Sequence, residues 1–252
     1  MLFDTHDRQF NYVRLSITDV CNFKCNYCLP DGYQHQAKKQ FLTLPEITNL
    51  THALRDVGVT KVRITGGEPS LRKDLPQIIE TVKRVCGIDT VAMTTNGYRL
   101  NEQVADWHAA GLDQLNISID SLHPGQFNLI TGSTKLQAIL DGIDKAITLG
   151  FAEIKVNVVL LKKFNYAEFT HFLAWIKDKP IVLRFIELMQ TGDNEAFFNE
   201  QHVRASLLQA QVEASGWVRK IRSSDAGPAI EYQHPEYAGQ IGFITPYGDE
   251  FC

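Results

Sequence analysis

Gly58-Val59-Thr60-Lys61-Val62-Arg63-Ile64-Thr65 sets a pattern that the chain repeats three times. It returns as Gly87-Ile88-Asp89-Thr90-Val91-Ala92-Met93-Thr94 and as Gly111-Leu112-Asp113-Gln114-Leu115-Asn116-Ile117-Ser118. The last copy is Gly150-Phe151-Ala152-Glu153-Ile154-Lys155-Val156-Asn157. Glycine is the preferred residue just past a helix end. The alternation that follows each Gly has the period of two that marks a strand. Helical patterns come before each Gly. Thr43-Leu44-Pro45-Glu46 is a capping box with Pro in the first turn. Asp74 is expected to cap a helix with apolar positions at Leu75, Ile78, Ile79, Val82 and Val85. Asn101 is expected to cap the next helix, through Trp107, and a fourth runs from about Lys135 to Leu149. Asn165 then caps Tyr166 to Lys177, while Tyr12 to Thr18 and Ile181 to Glu187 read as the first and sixth strands.

Strands alternating with helices at this spacing form βαβ units around a parallel sheet. Both a partial (β/α) barrel and a doubly wound sheet fit that order. The strand faces favour the barrel. Val62/Ile64, Val91/Met93, Leu115/Ile117 and Ile154/Val156 share one face. Arg63/Thr65, Ala92/Thr94, Asn116/Ser118/Asp120 and Lys155/Asn157 share the other. Strands covered by helices on both faces are apolar throughout, whereas a barrel interior that holds a polar ligand explains one polar face. Ligands of such folds bind at the C-terminal strand ends. Residues 191–252 leave the pattern. Glu200 to Ala214 reads as helix, and Trp217 to Arg222, Ala229 to Gln233 and Ile241 to Thr245 read as short antiparallel strands. The expected division is a barrel over 1–190 with an incomplete extension over 191–252.

The 252 residues are 44% hydrophobic and 21% charged, with a net charge of −4, which is globular and excludes a disordered or collagenous chain. An acidic balance argues against bulk nucleic-acid binding. No stretch is apolar enough for a membrane span, and the polar Met1–Asp7 segment lacks the pattern of a signal peptide. The chain is therefore expected to be cytoplasmic. Its five cysteines, three of them within eight residues, do not suggest a secreted disulfide framework.

Cys21-Asn22-Phe23-Lys24-Cys25-Asn26-Tyr27-Cys28 is a C-x3-C-x2-C run in the loop after the first strand. Soft thiolates select iron–sulfur clusters or zinc. Three thiolates on one loop suit three irons of a [4Fe–4S] cube and leave the fourth open. The alternative is a Cys3His zinc knot completed by His35. Thr65-Gly66-Gly67-Glu68-Pro69 ends the second strand with two glycines that permit close backbone approach to a ligand. Thr94-Thr95-Asn96-Gly97 and Asn116-Ile117-Ser118-Ile119-Asp120 place further polar groups at the next two strand ends. Cys86 continues an apolar helix face and reads as core packing.

Together these residues resemble the radical S-adenosylmethionine (SAM) superfamily, whose two marks are the cysteine loop and Gly-Gly-Glu-Pro. From Phe10 onward the chain is similar to the GTP 3′,8-cyclase family of molybdenum cofactor biosynthesis. Val13 to Pro30, Arg63 to Ser70, Thr94 to Tyr98, Asn116 to Leu122, Arg184 to Met189 and Ile241 to Tyr247 carry that likeness. The implied fold is α/β, a partial (β/α)6 radical SAM barrel with a short C-terminal antiparallel extension. The resemblance implies that Cys21, Cys25 and Cys28 hold a [4Fe–4S] cluster. It implies a SAM site at Tyr27, Gly67, Ser118 and Met189, and GTP contacts at Arg14, Arg63, Thr94 and Lys155; the orientation of Arg184 is left open. The resemblance also implies the reaction: reductive cleavage of SAM would yield methionine and a 5′-deoxyadenosyl radical, which would take hydrogen from C3′ of GTP, and the C3′ radical would then attack C8. The implied partners are GTP and an unidentified electron donor, with homodimerisation left open, and neither nucleic acid nor membrane.

The family holds a second [4Fe–4S] cluster on three C-terminal cysteines, and Cys252 stands at the first of these. A second cluster is therefore expected only in a full-length chain. The 252-residue chain is expected to resemble a truncated cyclase that takes up about four irons, cleaves SAM slowly and cyclises little or no GTP. Another radical SAM enzyme, such as a peptide-modifying maturase, and a non-catalytic zinc-binding module are the competing readings. The cysteine loop leaves no spare thiolate, so Cys25→Ala is expected to abolish 5′-deoxyadenosine formation from SAM by the reconstituted, reduced protein. Wild-type 5′-deoxyadenosine yield from that variant would refute the ligand assignment.

Overall fold

The computed structural model describes residue 5 and residues 10–34, 40–192, 194–221 and 227–248. The chain order is β1 (Tyr12–Ser16), α1 (Leu44–Asp56), β2 (Lys61–Thr65), α2 (Leu75–Glu80), β3 (Thr90–Thr95) and α3 (Leu100–Ala110). Then come β4 (Gln114–Ser118), α4 (Pro124–Thr131), α5 (Leu136–Leu149), β5 (Glu153–Leu160), α6 (Phe169–Trp175) and β6 (Val182–Glu187). The remainder is α7 (Glu195–Gln201), α8 (Ser206–Ala214), β7 (Val218–Arg219), β8 (Ile230–Gln233) and β9 (Gln240–Ile244). Contacts divide the chain into two compact units. Unit 1 is Met1–Lys24, Asp31–Ile117 and Gln137–Ile154; unit 2 is Cys25–Pro30, Ser118–Leu136 and Lys155–Cys252.

In unit 1 the strands run in the order β1-β2-β3-β4, all parallel. The four repeat glycines, Gly58, Gly87, Gly111 and Gly150, all adopt positive φ, as the repeat requires. The capping box closes α1: the Thr43 amide donates to Glu46 at 2.7 Å, and the Glu46 amide donates back to Thr43 Oγ1. The apolar strand face, with Val62, Ile64, Met93, Leu115 and Ile117, is fully buried. So are Ile47, Ile78, Val82, Trp107 and Ile143 on the helices.

Local details depart from the sequence expectation. Asp74 makes no cap hydrogen bond, because its carboxylate pairs with Arg72. Helix α3 starts one residue before Asn101, with Arg99 at the cap position. The turn Thr81–Val85 is a π-type turn, which inserts an extra residue. Val85 is thereby rotated into solvent and Cys86 into the core.

In unit 2 the order is β5-β6-β9-β8-β7. The expected antiparallel extension is only partly antiparallel. Strand β9 runs parallel to β6, and β8 and β7 then add antiparallel. The expected single helix over 200–214 is broken between α7 and α8. Glu187 accepts from the Ala205 amide and lies 2.8 Å from His202 Nε2, drawing that segment out of the helix. Asn165 precedes a 3-10 turn, Tyr166–Glu168, without capping it through its side chain. The core of unit 2 centres on Phe185, with its ring centroid 5.2 Å from Phe169, 5.7 Å from Phe172 and 5.9 Å from Phe243. All four are buried. Phe185→Ala is expected to cost about 3–5 kcal/mol, read from urea unfolding; a loss below about 1 kcal/mol would show that this cluster is not the centre of the core.

Candidate functional site

In unit 1 the Gly-Gly turn after β2 meets the segment that leads into the cysteine loop. The Gly67 amide donates to Thr18 O at 2.8 Å, and the Glu68 amide donates to Val20 O at 2.7 Å. A Cβ on Gly66 would stand 2.3 Å from Thr18 O, and one on Gly67 would stand 2.3 Å from Val20 O. The close approach for which these glycines are needed is thus made to the chain's own backbone. Glu68 is completely buried. Its carboxylate accepts from the Ser70 amide at 3.0 Å, from Thr95 Oγ1 at 2.7 Å and from the Asn96 amide at 2.6 Å. Burial raises its pKa and these donors lower it. Asn96 donates from Nδ2 to Asn22 Oδ1 at 2.9 Å and lies 3.9 Å from Cys21 Sγ. One carboxylate therefore joins the ends of β2 and β3 beside the first cysteine.

The polar face of unit 1 carries the candidate cations. Arg14 and Arg63 are register partners on β1 and β2. Arg14 is exposed, while Arg63 is partly buried with its guanidinium 5.1 Å from the Tyr12 ring centroid, in cation–π range. Thr94 is the register partner of Asn116. Thr94 Oγ1 and Asn116 Oδ1 are buried without a hydrogen-bond partner among the described residues.

In unit 2 the residues 25–29 form one tight turn, in which Cys25 O accepts from the Cys28 and Leu29 amides, both at 2.9 Å. Between these cysteines Tyr27 donates its phenol to Asp120 Oδ2 at 2.8 Å. Asp120 Oδ1 accepts from the Val159 amide at 2.8 Å. Burial pushes the Asp120 carboxyl up to about 6, against the lowering effect of these two donors. Burial, with Asp120 nearby, also raises the Cys28 thiol. Ser118 closes β4 and is partly buried, and Met189 is exposed.

Lys155 is buried on β5. Arg184 on β6 is the register partner of Asn157 and so shares the Lys155 face. Its guanidinium donates to Glu231 at 2.7 Å across Gly242, the register partner of both Arg184 and Glu231. Cys21, Cys25 and Cys28 are all free thiols. Their chemistry fits an iron–sulfur cluster. Among the described residues no three His, Cys, Asp or Glu side chains are gathered as a metal set. His35 and Cys252 lie outside the described residues. Cys86 is buried, with Sγ 3.7 Å from Thr48 O, as core packing requires.

Glu68, Asp120 and Asn165 take part in holding the site although their spacing along the chain does not mark them for it. Their signal was weak: acidic or amide groups at strand ends whose partners are distant in sequence.

The sequence profile of the Radical SAM superfamily matches residues 15–176, and that of Molybdenum Cofactor Synthesis C matches residues 181–252. The chain is 53% identical to a GTP 3′,8-cyclase of Vibrio parahaemolyticus over 99% of its own length and 75% of that protein. It is 50% identical to one of Haemophilus influenzae over 100% and 75%. Among solved structures, Streptococcus suis SuiB bound to S-adenosylmethionine matches with a TM-score of 0.67 at 15% identity, over 81% of this chain and 46% of SuiB. Methylornithine synthase matches with a TM-score of 0.56 at 13% identity, over 72% and 54%. At those identities the likeness is one of fold. The chain belongs to the radical SAM superfamily and, within it, to the family of the GTP 3′,8-cyclases.

The Gly67 contact makes a direct test. Gly67→Ala is expected to cost about 2–3 kcal/mol and to speed exchange of the Glu68 amide. An unchanged melting temperature and an unchanged exchange rate would refute the close backbone packing.

Proposed function

We propose that the chain carries out GTP 3′,8-cyclisation by radical SAM chemistry, in molybdenum cofactor biosynthesis. The observation that carries this is identity of about half the residues, over the whole chain, to proteins of that activity. The polar strand faces support it: Arg14, Arg63 and Thr94 in unit 1 and Lys155 in unit 2 are the cations and hydroxyl that a polyanion would need.

Cys21, Cys25 and Cys28 would hold a [4Fe–4S] cluster, with SAM at Tyr27, Gly67, Ser118 and Met189. When bound, the cluster and SAM supply one-electron cleavage of the sulfonium and hence hydrogen abstraction from C3′ of GTP. The protein's own residues do the rest by binding and orienting. Arg14 and Arg63, adjacent on neighbouring strands, suit the bidentate recognition of phosphate oxygens. Buried Lys155 supplies a less screened charge than a surface lysine. Glu231 holds the Arg184 guanidinium on the same strand face. Among the described residues no helix is long and apolar enough to cross a membrane. We read residues 1–190 as the partial barrel and 191–252 as its extension.

The test is anaerobic reconstitution with iron and sulfide, reduction, and incubation with SAM and GTP deuterated at C3′. Deuterium in the 5′-deoxyadenosine supports the reading. 5′-Deoxyadenosine without deuterium points to another radical SAM substrate, and zinc in place of iron overturns it. Lys155→Met, which keeps the buried chain length, is expected to raise the Kd for GTP about tenfold or more with the iron content unchanged. A wild-type Kd would remove Lys155 from the substrate site.

A further inference from the structure

We propose that Asp120 is a positioning residue for the cysteine loop, acting through the phenol of Tyr27. The inference rests on the radical SAM reading of Cys25 and Cys28 and adds how their turn is held. Tyr27 is the residue immediately before Cys28, so whatever fixes its ring fixes the peptide that carries that thiol.

Three holds on the turn come from distant parts of unit 2. The Asn26 amide donates to Ile130 O at 3.0 Å. The Tyr27 ring packs on the cluster of Ile130, Leu161 and Leu188. The phenol reaches Asp120 at 2.8 Å. Apolar packing has no preferred direction about the ring axis. The hydrogen bond does, and it sets how far the ring enters the cluster.

Asp120 is itself fixed from several sides. It is buried just past β4, and its second oxygen accepts from the Val159 amide. Asn165 Nδ2 donates to Asp120 O at 2.7 Å and to Val159 O at 2.8 Å, while its Oδ1 accepts from the Leu161 amide at 2.8 Å. Asn165 thus binds the backbone on both sides of the carboxylate and leaves it one direction to present. Burying a carboxylate costs more than burying an apolar side chain of similar size. Stability alone does not call for Asp here, whereas a rigid acceptor for a single phenol does. Removing the phenolic hydroxyl leaves the ring packed but free to rotate and slide, and a thiolate displaced by a fraction of an ångström misdirects a cluster-bound substrate.

The test uses the reconstituted full chain and the variants Tyr27→Phe, Asp120→Asn and both together. All three are expected to retain the wild-type iron content. In Tyr27→Phe the kcat for 5′-deoxyadenosine formation falls about tenfold. The electron paramagnetic resonance signal of the reduced cluster in the presence of SAM shifts, and amide exchange at Asn26, Cys28 and Leu29 quickens. The double variant is no worse than the poorer single one, because both changes break one interaction. Full iron content with a wild-type kcat, spectrum and exchange in Tyr27→Phe overturns the inference alone; so do losses that add in the double variant. If Asp120→Asn does not fold, Tyr27→Phe decides, since it keeps the ring. A wild-type chain that binds no iron overturns the cluster reading, and the inference with it.

Discussion

A single buried carboxylate, that of Glu68, organises the start of the site. Three donors from two segments converge on it: Ser70 in its own turn, and Thr95 and Asn96 at the end of β3. A buried carboxylate is costly unless it is hydrogen-bonded, so the turn and the strand end are held together as one piece. The Gly-Gly turn that precedes it then takes the Thr18–Val20 backbone at contact distances that admit no Cβ. The approach to the first cysteine is therefore positioned by the end of the second parallel strand. Parallel strands return through helices, and their C-terminal ends gather at one edge; Glu68 uses that property of the fold to anchor a loop.

The same carboxylate logic recurs in unit 2 with different chemistry. Glu231 faces Arg184 at 2.7 Å, and the missing side chain of Gly242 leaves room for the two to meet across a strand. Lys220 lies 3.7 Å from the other oxygen of Glu231, and Lys155 also lowers the pKa of that carboxylate. A chain with net charge −4 thereby concentrates cations on one strand face. Net charge reports solubility and long-range behaviour, while binding depends on such local arrangements.

The fold was legible where its causes are local. The four glycines, the capping box at Thr43 and the two-faced strands are written in short stretches, and each has the expected geometry. What escaped sequence reading depends on partners far along the chain. Helix α4 begins at Pro124 and is capped by the His123 ring, an uncommon capping group. The break before α8 exists because Glu187 draws on His202 and Ala205. The parallel pairing of β9 with β6 leaves no trace in the alternation of Ile241 to Thr245, which is the same for either direction. In the site, the cysteines and Gly-Gly-Glu-Pro are visible as spacing. Tyr27 and Asp120 are 93 residues apart, and no local pattern links them.

The polar strand faces bear a cost that folding alone does not explain. In unit 1, Thr94 Oγ1 and Asn116 Oδ1 are buried on adjacent strands without a hydrogen-bond partner among the described residues; in unit 2 the same holds for Arg184 Nε. Each such atom costs about 1–3 kcal/mol. Valine at either strand position of unit 1 would remove that cost and favour the strand. Polar side chains at both positions therefore oppose stability in the isolated chain. A bound group with matching donors and acceptors would restore the missing bonds and add its binding energy to the fold. Thr94 and Asn116 thus lie, in unit 1, on the strand face that the proposed function gives to the nucleotide, where local cost and function are expected to coincide.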